Sequence, residues 1–421
     1  MSAASHKRIL GNFTALGIVQ GTNYLIPLLV MPYVIGKIGA DGFGEVAVAQ
    51  VIMMFFTNVA DYGFNLTATR DVTHHQDDRD LVSRVFFNVL ITRLLICLAL
   101  FLLLLAGIAL VPFMQHAALL YILAFTTVVG QSIVMNWLFQ AIERMKLIMY
   151  ISLFARIIFV VLVVAFIKTR ADNIYFIFFT GVGNLLAGVA SIIVAFRLLK
   201  LRMLLPRTAD IVYELKNGWH IMVSNLSVSV YMYANVLILR LFTSNEVVGY
   251  YSIAEKIVSA ARQVLSVYFQ VIYPQVCQLA VSSKQGLAAF LKKFYLPFLG
   301  AVLAGCCFLF FFSDWCVHIF IKEHIGISSY YLRILAFVPF IVCLNIPAYQ
   351  VLLAHDHKKS LLTVFFSGTI INILLNVLLA KSYGPMGTCY TILATEILIT
   401  LGLLYEMYRF PATNIFNYGR I

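Results

Sequence analysis

The chain has 421 residues, of which 62% are apolar and 11% charged, with a formal net charge of +12 and a mean hydropathy of +0.93. Soluble globular chains carry about 45–50% apolar and about 25% charged residues. A large soluble catalytic domain is therefore excluded, as are collagen-like, disordered and disulfide-rich classes.

A membrane span needs about 20 apolar residues. Twelve runs reach that length: 12–36, 45–67, 83–111, 117–142, 147–168, 174–197, 217–241, 248–278, 288–312, 327–354, 361–381 and 386–409. The expected fold is an all-α polytopic membrane protein with 12 transmembrane helices. The first run follows MSAASHKR and has no small-residue cleavage site at signal-peptide distance, so a retained helix is expected. With the N-terminus cytoplasmic, 19 Lys and Arg fall on the cytoplasmic side and 5 on the other. That bias predicts N-in, C-in topology and assigns the basic charge to orientation, with no nucleic-acid partner.

The longest cytoplasmic connection, LKLRMLLPRTADIVYELKN (198–216), mixes Leu and Met with Lys and Arg and reads as an amphipathic interfacial stretch. It divides the chain into an N-terminal six-helix bundle (1–197), a cytoplasmic amphipathic connector (198–216) and a C-terminal six-helix bundle with a short cytoplasmic tail (217–421). GEVAVAQ (44–50) and GYYSIAE (249–255) match at an offset of 205. The same offset pairs Gln20 with Asn225, Asn58 with Gln263 and Asn65 with Gln270. Two similarly oriented halves are a known transporter design, with the substrate path between them.

Polar residues inside apolar runs are costly and mark bundle interiors or aqueous cavities. The first run holds Pro27 and Pro32, and the tenth Pro339 and Pro347; each Pro removes a helix hydrogen bond and supplies a candidate kink or gate. The second run carries Gln50, Asn58, Asp61 and Asn65 on one helical face. The eighth carries Glu255, Gln263, Ser266 and Gln270 on the equivalent face, with Lys256 and Arg262 nearby. Arg93 and Arg156 lie two to three turns into the third and fifth runs, deeper than a snorkelling anchor requires. Asn372 and Asn376 form an i, i+4 pair in the eleventh run, and Glu396 sits mid-run in the twelfth. Two readings stand for Asp61 and Glu255: partners of a buried Arg, or sites for a coupling proton or sodium ion. For the Asn and Gln residues, interhelical glue competes with a cavity role.

The loop RDVTHHQDDRD (70–80) has no ligand pair at structural-site spacing and reads as solvated. The seven Cys residues show no CxxC and read as small core residues. There is no P-loop, nucleophile elbow or HExxH, so no catalytic residue, cofactor or metal is expected.

Four strings carry a family resemblance: VQGTNYLIPLLVMPYVIGKIGADGFG (19–44), ADYGFNLTATRDV (60–72), NWLFQAIERMK (136–146) and GPMGTCYTILATE (384–396). They resemble, in order, the Wzx-type O-antigen flippases, in the polysaccharide-export branch of the multidrug/oligosaccharidyl-lipid/polysaccharide exporter superfamily. The family usually has Gly after FQ in the third string, where this chain has Ala141. The resemblance implies a flippase that moves undecaprenyl-diphosphate-linked O-antigen repeat units from the cytoplasmic to the periplasmic leaflet of a bacterial inner membrane. It also implies alternating access and a role in lipopolysaccharide biosynthesis. Implied partners are the lipid-linked oligosaccharide, membrane lipids, and polymerase and chain-length regulator proteins of the same pathway. Deep Arg residues suit an anionic diphosphate through charge-assisted hydrogen bonds, which nominates Arg93, Arg156 and Arg262, with Lys256 as a lesser candidate. A cation-coupled drug or metabolite antiporter of the same superfamily would need a carboxylate site, but a cationic interior would repel cationic drugs. An O-antigen polymerase is expected to carry a large external loop, and the runs leave none.

Overall fold

The computed structural model describes residues 3–76 and 78–410. The expectations on Asp77 and on the tail after Phe410 lie outside the described residues, as does the side chain of Gln20. Every regular element among the described residues is helical.

In chain order the first elements are α1 (Ala3–Asp61), α2 (Phe64–Thr73), α3 (Arg79–Leu110), α4 (Pro112–His116) and α5 (Ala118–Ala124). There follow α6 (Thr126–Ile133), α7 (Asn136–Ala141), α8 (Met145–Phe166), α9 (Asn173–Leu199) and α10 (Thr208–Phe242). The remainder are α11 (Asn245–Ser282), α12 (Lys284–Phe290), α13 (Leu296–Phe311), α14 (Ser313–His318), α15 (Ile325–Leu335), α16 (Val338–Ala354), α17 (Lys358–Tyr383) and α18 (Pro385–Arg409). One π-helical turn, Leu291–Tyr295, joins α12 to α13.

Ten helical stretches among the described residues are long and apolar enough to cross a membrane. Their outward faces agree with a lipid solvent. In α3, Leu94, Leu95, Leu98 and Leu102 are exposed while Cys97, Leu100 and Leu104 are buried. Water would penalise that arrangement and lipid does not. The protein is a multi-pass membrane protein.

Helix ends follow local chemistry. Asp78 caps α3 by accepting from the backbone N–H groups of Asp80 and Leu81 at 3.1 and 3.0 Å, satisfying donors that have no intrahelical partner. Ser244 caps α11 by accepting from Val247 N–H. Pro339 lies in the first turn of α16, just after the break that separates it from α15. There its missing N–H costs nothing. Pro347 lies inside α16, and Pro27 and Pro32 inside α1. The non-helical dihedrals within α1 fall at Gly39 (φ 74°), beyond both prolines.

The chain divides into two compact units, the first ending at Val230 and the second starting at Tyr231. The division falls inside α10, downstream of the connector. Residues 200–207 of that connector carry no regular structure, and α10 begins at Thr208. Leu201 is buried while Met203 and Leu205 are exposed. Arg202 pairs with Asp80 at 2.9 Å, and its backbone N–H donates to Ser83 Oγ at 3.1 Å.

In the first unit, Phe64, Phe86, Trp137, Leu138 and Phe139 form one fully buried cluster. Two close approaches shape this unit. Tyr62 (φ 50°) and Gly63 (φ 82°) break α1 from α2. A Cβ on Gly63 would stand 2.7 Å from Ile221 Cβ, and one on Gly218 would stand 2.3 Å from Tyr62 O. Backbone meets backbone there because neither glycine has a side chain. Helices α6 and α9 approach equally closely: a Cβ on Gly181 would lie 1.9 Å from Thr126 Oγ1, and one on Gly130 would lie 2.6 Å from Leu185 N. Small residues permit such contact between membrane helices. The second unit packs Val276, Leu291, Ala348, Leu352, Ile399 and Leu403 into its core.

Candidate functional site

Each unit holds a buried ion pair. In the first, Arg93 of α3 pairs with Asp61 at the end of α1. The same guanidinium donates to Asn65 Oδ1 of α2 at 3.3 Å, and to the carbonyls of Ser132 and Val134 at 3.3 and 3.5 Å. Its centre lies 5.7 Å from the Phe64 ring centroid. Arg93 is thus fixed by several elements, with a side chain 2% exposed, whereas the side chain of Asp61 is 22% exposed. One turn earlier, Asn58 Nδ2 donates to Ser229 Oγ at 2.7 Å.

In the second unit, Arg262 of α11 pairs with Glu396 of α18. The exposures are reversed: Arg262 is 22% exposed and Glu396 6%. Glu255, two turns before Arg262, accepts from Ser259 Oγ at 2.6 Å instead. A buried polar ladder lies in the same unit. Asn376 Nδ2 donates to Asn235 Oδ1 at 2.7 Å, Thr388 Oγ1 donates to Asn376 Oδ1 at 2.9 Å, and Asn372 Nδ2 donates to Thr395 Oγ1 at 3.3 Å. Such bonds tie membrane helices together.

The structure brings Asp61, Asn65 and Arg93 together, and joins Arg262 to a carboxylate on another helix. It leaves other nominated residues apart from these pairs. Arg156 is half-buried in α8, Lys256 and Gln263 are half-buried in α11, and Gln270 is exposed. Among the described residues, no group of three or more His, Cys, Asp or Glu could hold a metal ion.

One recess escaped the reading of the sequence. A cavity of about 190 Å³ in the first unit is lined by Gln50, Met53, Met54 and Thr57 of α1, Thr127 and Gln131 of α6, and Ile177, Thr180 and Asn184 of α9. Gln131 and Asn184 are polar residues within apolar runs, the signal that singled out Gln50. Scanning the fourth and sixth runs for that signal would have found them.

Comparison with known proteins finds relatives in both sequence and fold. A family model described as "Polysaccharide biosynthesis protein" matches residues 9–280, well over half of the chain. A protein of Escherichia coli (strain K12) named for O-antigen transport is 28% identical over 393 residues, covering 92% of this chain and 94% of that one. A protein of Shigella dysenteriae with the same name is 27% identical over 402 residues, covering 93% and 98%. Among solved structures, an inward-facing multidrug resistance MATE family transporter of the MOP superfamily superposes with a TM-score of 0.70 at 16% identity, covering 96% of this chain and 99% of that one. The lipid II flippase MurJ in an inward closed conformation gives 0.71 at 13% identity, covering 96% and 89%. At those identities the two structures show a shared fold.

Proposed function

The chain belongs to the polysaccharide biosynthesis protein family, and from that premise we propose that it is a flippase for undecaprenyl-diphosphate-linked O-antigen repeat units. It carries them from the cytoplasmic to the periplasmic leaflet of a bacterial inner membrane by alternating access. The observation that carries this reading is the end-to-end likeness to two proteins named for O-antigen transport, on a fold shared with a lipid II flippase. The protein is a transporter rather than an enzyme. The lipid-linked oligosaccharide is its substrate, and polymerase and chain-length regulator proteins act after it.

The proposed topology has twelve spans, N-in and C-in. The ten apolar stretches become twelve when α1 is divided at Gly39 and α11, 38 residues long, is added. The bundles are 1–197 and 217–421, joined by the connector 198–216.

The ion pairs suggest how labour is divided. The substrate head is an anionic diphosphate followed by a polar glycan, and its lipid tail remains in the bilayer. A guanidinium open on one side can donate charge-assisted hydrogen bonds to phosphate oxygens while its carboxylate holds it in place. Arg262 has that form, with Arg156 and Lys256 as further cations of the path. Arg93 is already surrounded, so its part is to hold Asp61. Asp61 is the open carboxylate and the first candidate for coupling to an ion gradient, ahead of Glu255. Gln50, Asn58, Asn65, Gln263 and Gln270 form the polar lining, and Pro27, Pro32, Pro339 and Pro347 mark bendable points. A drug antiporter is disfavoured by the open Arg262, which repels cations.

Purified protein in proteoliposomes, loaded with lipid-linked single repeat units from the host, tests this. Flipping is read as exposure of the glycan to a membrane-impermeant oxidant. Wild-type protein should move the units well above empty liposomes, and no excess over empty liposomes would refute the assignment. The Asp61→Asn variant should flip at a rate indifferent to an imposed proton or sodium gradient. A retained gradient response would remove Asp61 from coupling.

A further inference from the structure

Glu214 is a carboxylic acid buried without a countercharge of its own. It lies in the connector, ahead of the span 217–241, in the second turn of α10. Only 3% of the residue is exposed, and its Oε2 is buried with no hydrogen-bond partner. The charged groups that act on it are Asp71 and Arg70 of α2 and Asp210 of its own helix. Both neighbouring carboxylates have support that Oε2 of Glu214 lacks. Asp71 is held by the Arg70 guanidinium at 3.0 Å, and Asp210 accepts from the backbone N–H of Arg207 at 3.1 Å. Arg70 is thus engaged with Asp71, and its side chain is 60% exposed. Lys216 and His220, further along α10, are exposed.

An ionised carboxylate in such a place is costly, and a carboxyl group answers by keeping its proton. Burial first, then the Asp71 and Asp210 carboxylates, push the Glu214 carboxyl up from its ordinary 4.5 to about 7, with Arg70 opposing. The packed arrangement binds this proton more tightly than an exposed Glu does. That arrangement therefore weakens as pH rises from 4.5 to about 7 and changes no further above that range.

The acid stands beside a seam. Glu214, Gly218 and Ile221 are spaced by four and three residues and share one face of α10. One turn beyond Glu214, that face meets the break between α1 and α2. A Cβ on Gly218 would stand 2.3 Å from Tyr62 O, and one on Gly63 would stand 2.7 Å from Ile221 Cβ. Further along, Ser229 accepts from Asn58. Tyr62 has φ 50°, a left-handed conformation that a bulky residue keeps only where its surroundings hold it. The seam with α10 supplies part of that hold, and Tyr62 directly follows Asp61. All of these residues belong to the first unit.

We propose that Glu214 is a proton-binding site on the connector side of the first unit, filled while α10 packs on the α1–α2 break and emptied to water when that seam opens. Its use in transport, as a proton exchanged with the cytoplasmic side next to Asp61, rests on the flippase reading and its N-in topology.

Infrared titration of the full-length protein in detergent tests the site, with Glu214→Gln and Asp71→Asn as variants. Wild type should show a protonated-carboxyl band that disappears with a midpoint near pH 7. Glu214→Gln keeps the shape, cannot ionise, and should lack that band. Asp71→Asn removes a like charge and frees Arg70 to face Glu214, so the midpoint should move about one pH unit lower. If Glu214→Gln does not fold, the Asp71→Asn midpoint carries the test. A Glu214→Gln spectrum that loses no band, or an Asp71→Asn midpoint equal to that of wild type, overturns the site. In proteoliposomes, the response of wild-type flipping to pH near 7 on the connector side should be lost in Glu214→Gln. An identical response in both proteins overturns the transport role. Wild-type protein that flips no lipid-linked repeat unit at all removes the flippase reading instead, and the infrared result still decides the proton site.

Discussion

The two units solve the same problem in opposite ways. Each buries an Arg–carboxylate pair, but in the first the guanidinium is sealed and the carboxylate is partly open, and in the second the carboxylate is sealed and the guanidinium is partly open. The carriers are exchanged too. At the offset of 205 read from the sequence, Asp61 stands against Ser266, one helical turn beyond Arg262. Two units can thus present a negative group from one and a positive group from the other, each held by a partner that gives it a fixed position. A buried charge without such a partner would be neutralised or would destabilise the fold.

The largest effect should come from removing the sealed member of the first pair. Arg93→Leu leaves Asp61 without its partner and strands the carbonyls of Ser132 and Val134. Breaking a buried pair costs about 3–5 kcal/mol, so thermal unfolding in detergent should drop sharply or folded protein should be lost. A variant as stable as wild type would show that the first pair is not structural, and the contrast between units would fail.

The second pair should respond differently. The Arg262→Gln/Glu396→Gln variant removes both charges and keeps hydrogen-bonding groups, so stability should remain near wild type. Flipping should fall roughly ten- to a hundredfold, the equivalent of about 1.5–3 kcal/mol for charge-assisted hydrogen bonds. Unaltered flipping in proteoliposomes would take Arg262 out of the substrate path.

Two smaller changes calibrate the first unit as a rigid frame. Gly181→Val places a side chain against Thr126 Oγ1 at the α6–α9 contact, and overpacking of this kind costs about 1–3 kcal/mol. It should lower thermal stability, read as unfolding in detergent. Asp78→Ala removes the α3 cap, worth about 1 kcal/mol. It should lower thermal stability slightly and leave flipping unaltered.

Hydropathy made most of the fold legible. The structure shows the expected all-helical, multi-pass chain, with ten helical stretches among the described residues long and apolar enough to span against the twelve runs expected, because lipid selects for continuous apolar runs that the chain displays openly. What the runs concealed is where they break. The fourth run is cut into α5, α6 and α7, and α1 departs from helical geometry at Gly39 rather than at its prolines. The site was harder to read. Asp61 had a buried Arg among its candidate partners, but nothing in the local sequence identified Arg93, which sits on another helix. Glu255 and Arg262 share a face, yet seven residues of helix separate them by about 10 Å, beyond the reach of a direct pair. The true partner, Glu396, lies 134 positions along the chain, a distance that only tertiary packing closes. The cavity in the first unit escaped for the same reason, since three helices must converge before Gln50, Gln131 and Asn184 share one space.

The most direct test of the flippase account is made in the cell. Deleting the gene in its native host and recovering the lipid-linked oligosaccharides shows on which leaflet single repeat units accumulate. The account predicts accumulation with the glycan on the cytoplasmic side, relieved by the wild-type gene and not by the Arg262→Gln/Glu396→Gln variant. Accumulation on the periplasmic side would mean that translocation proceeds without this protein, and would contradict the account.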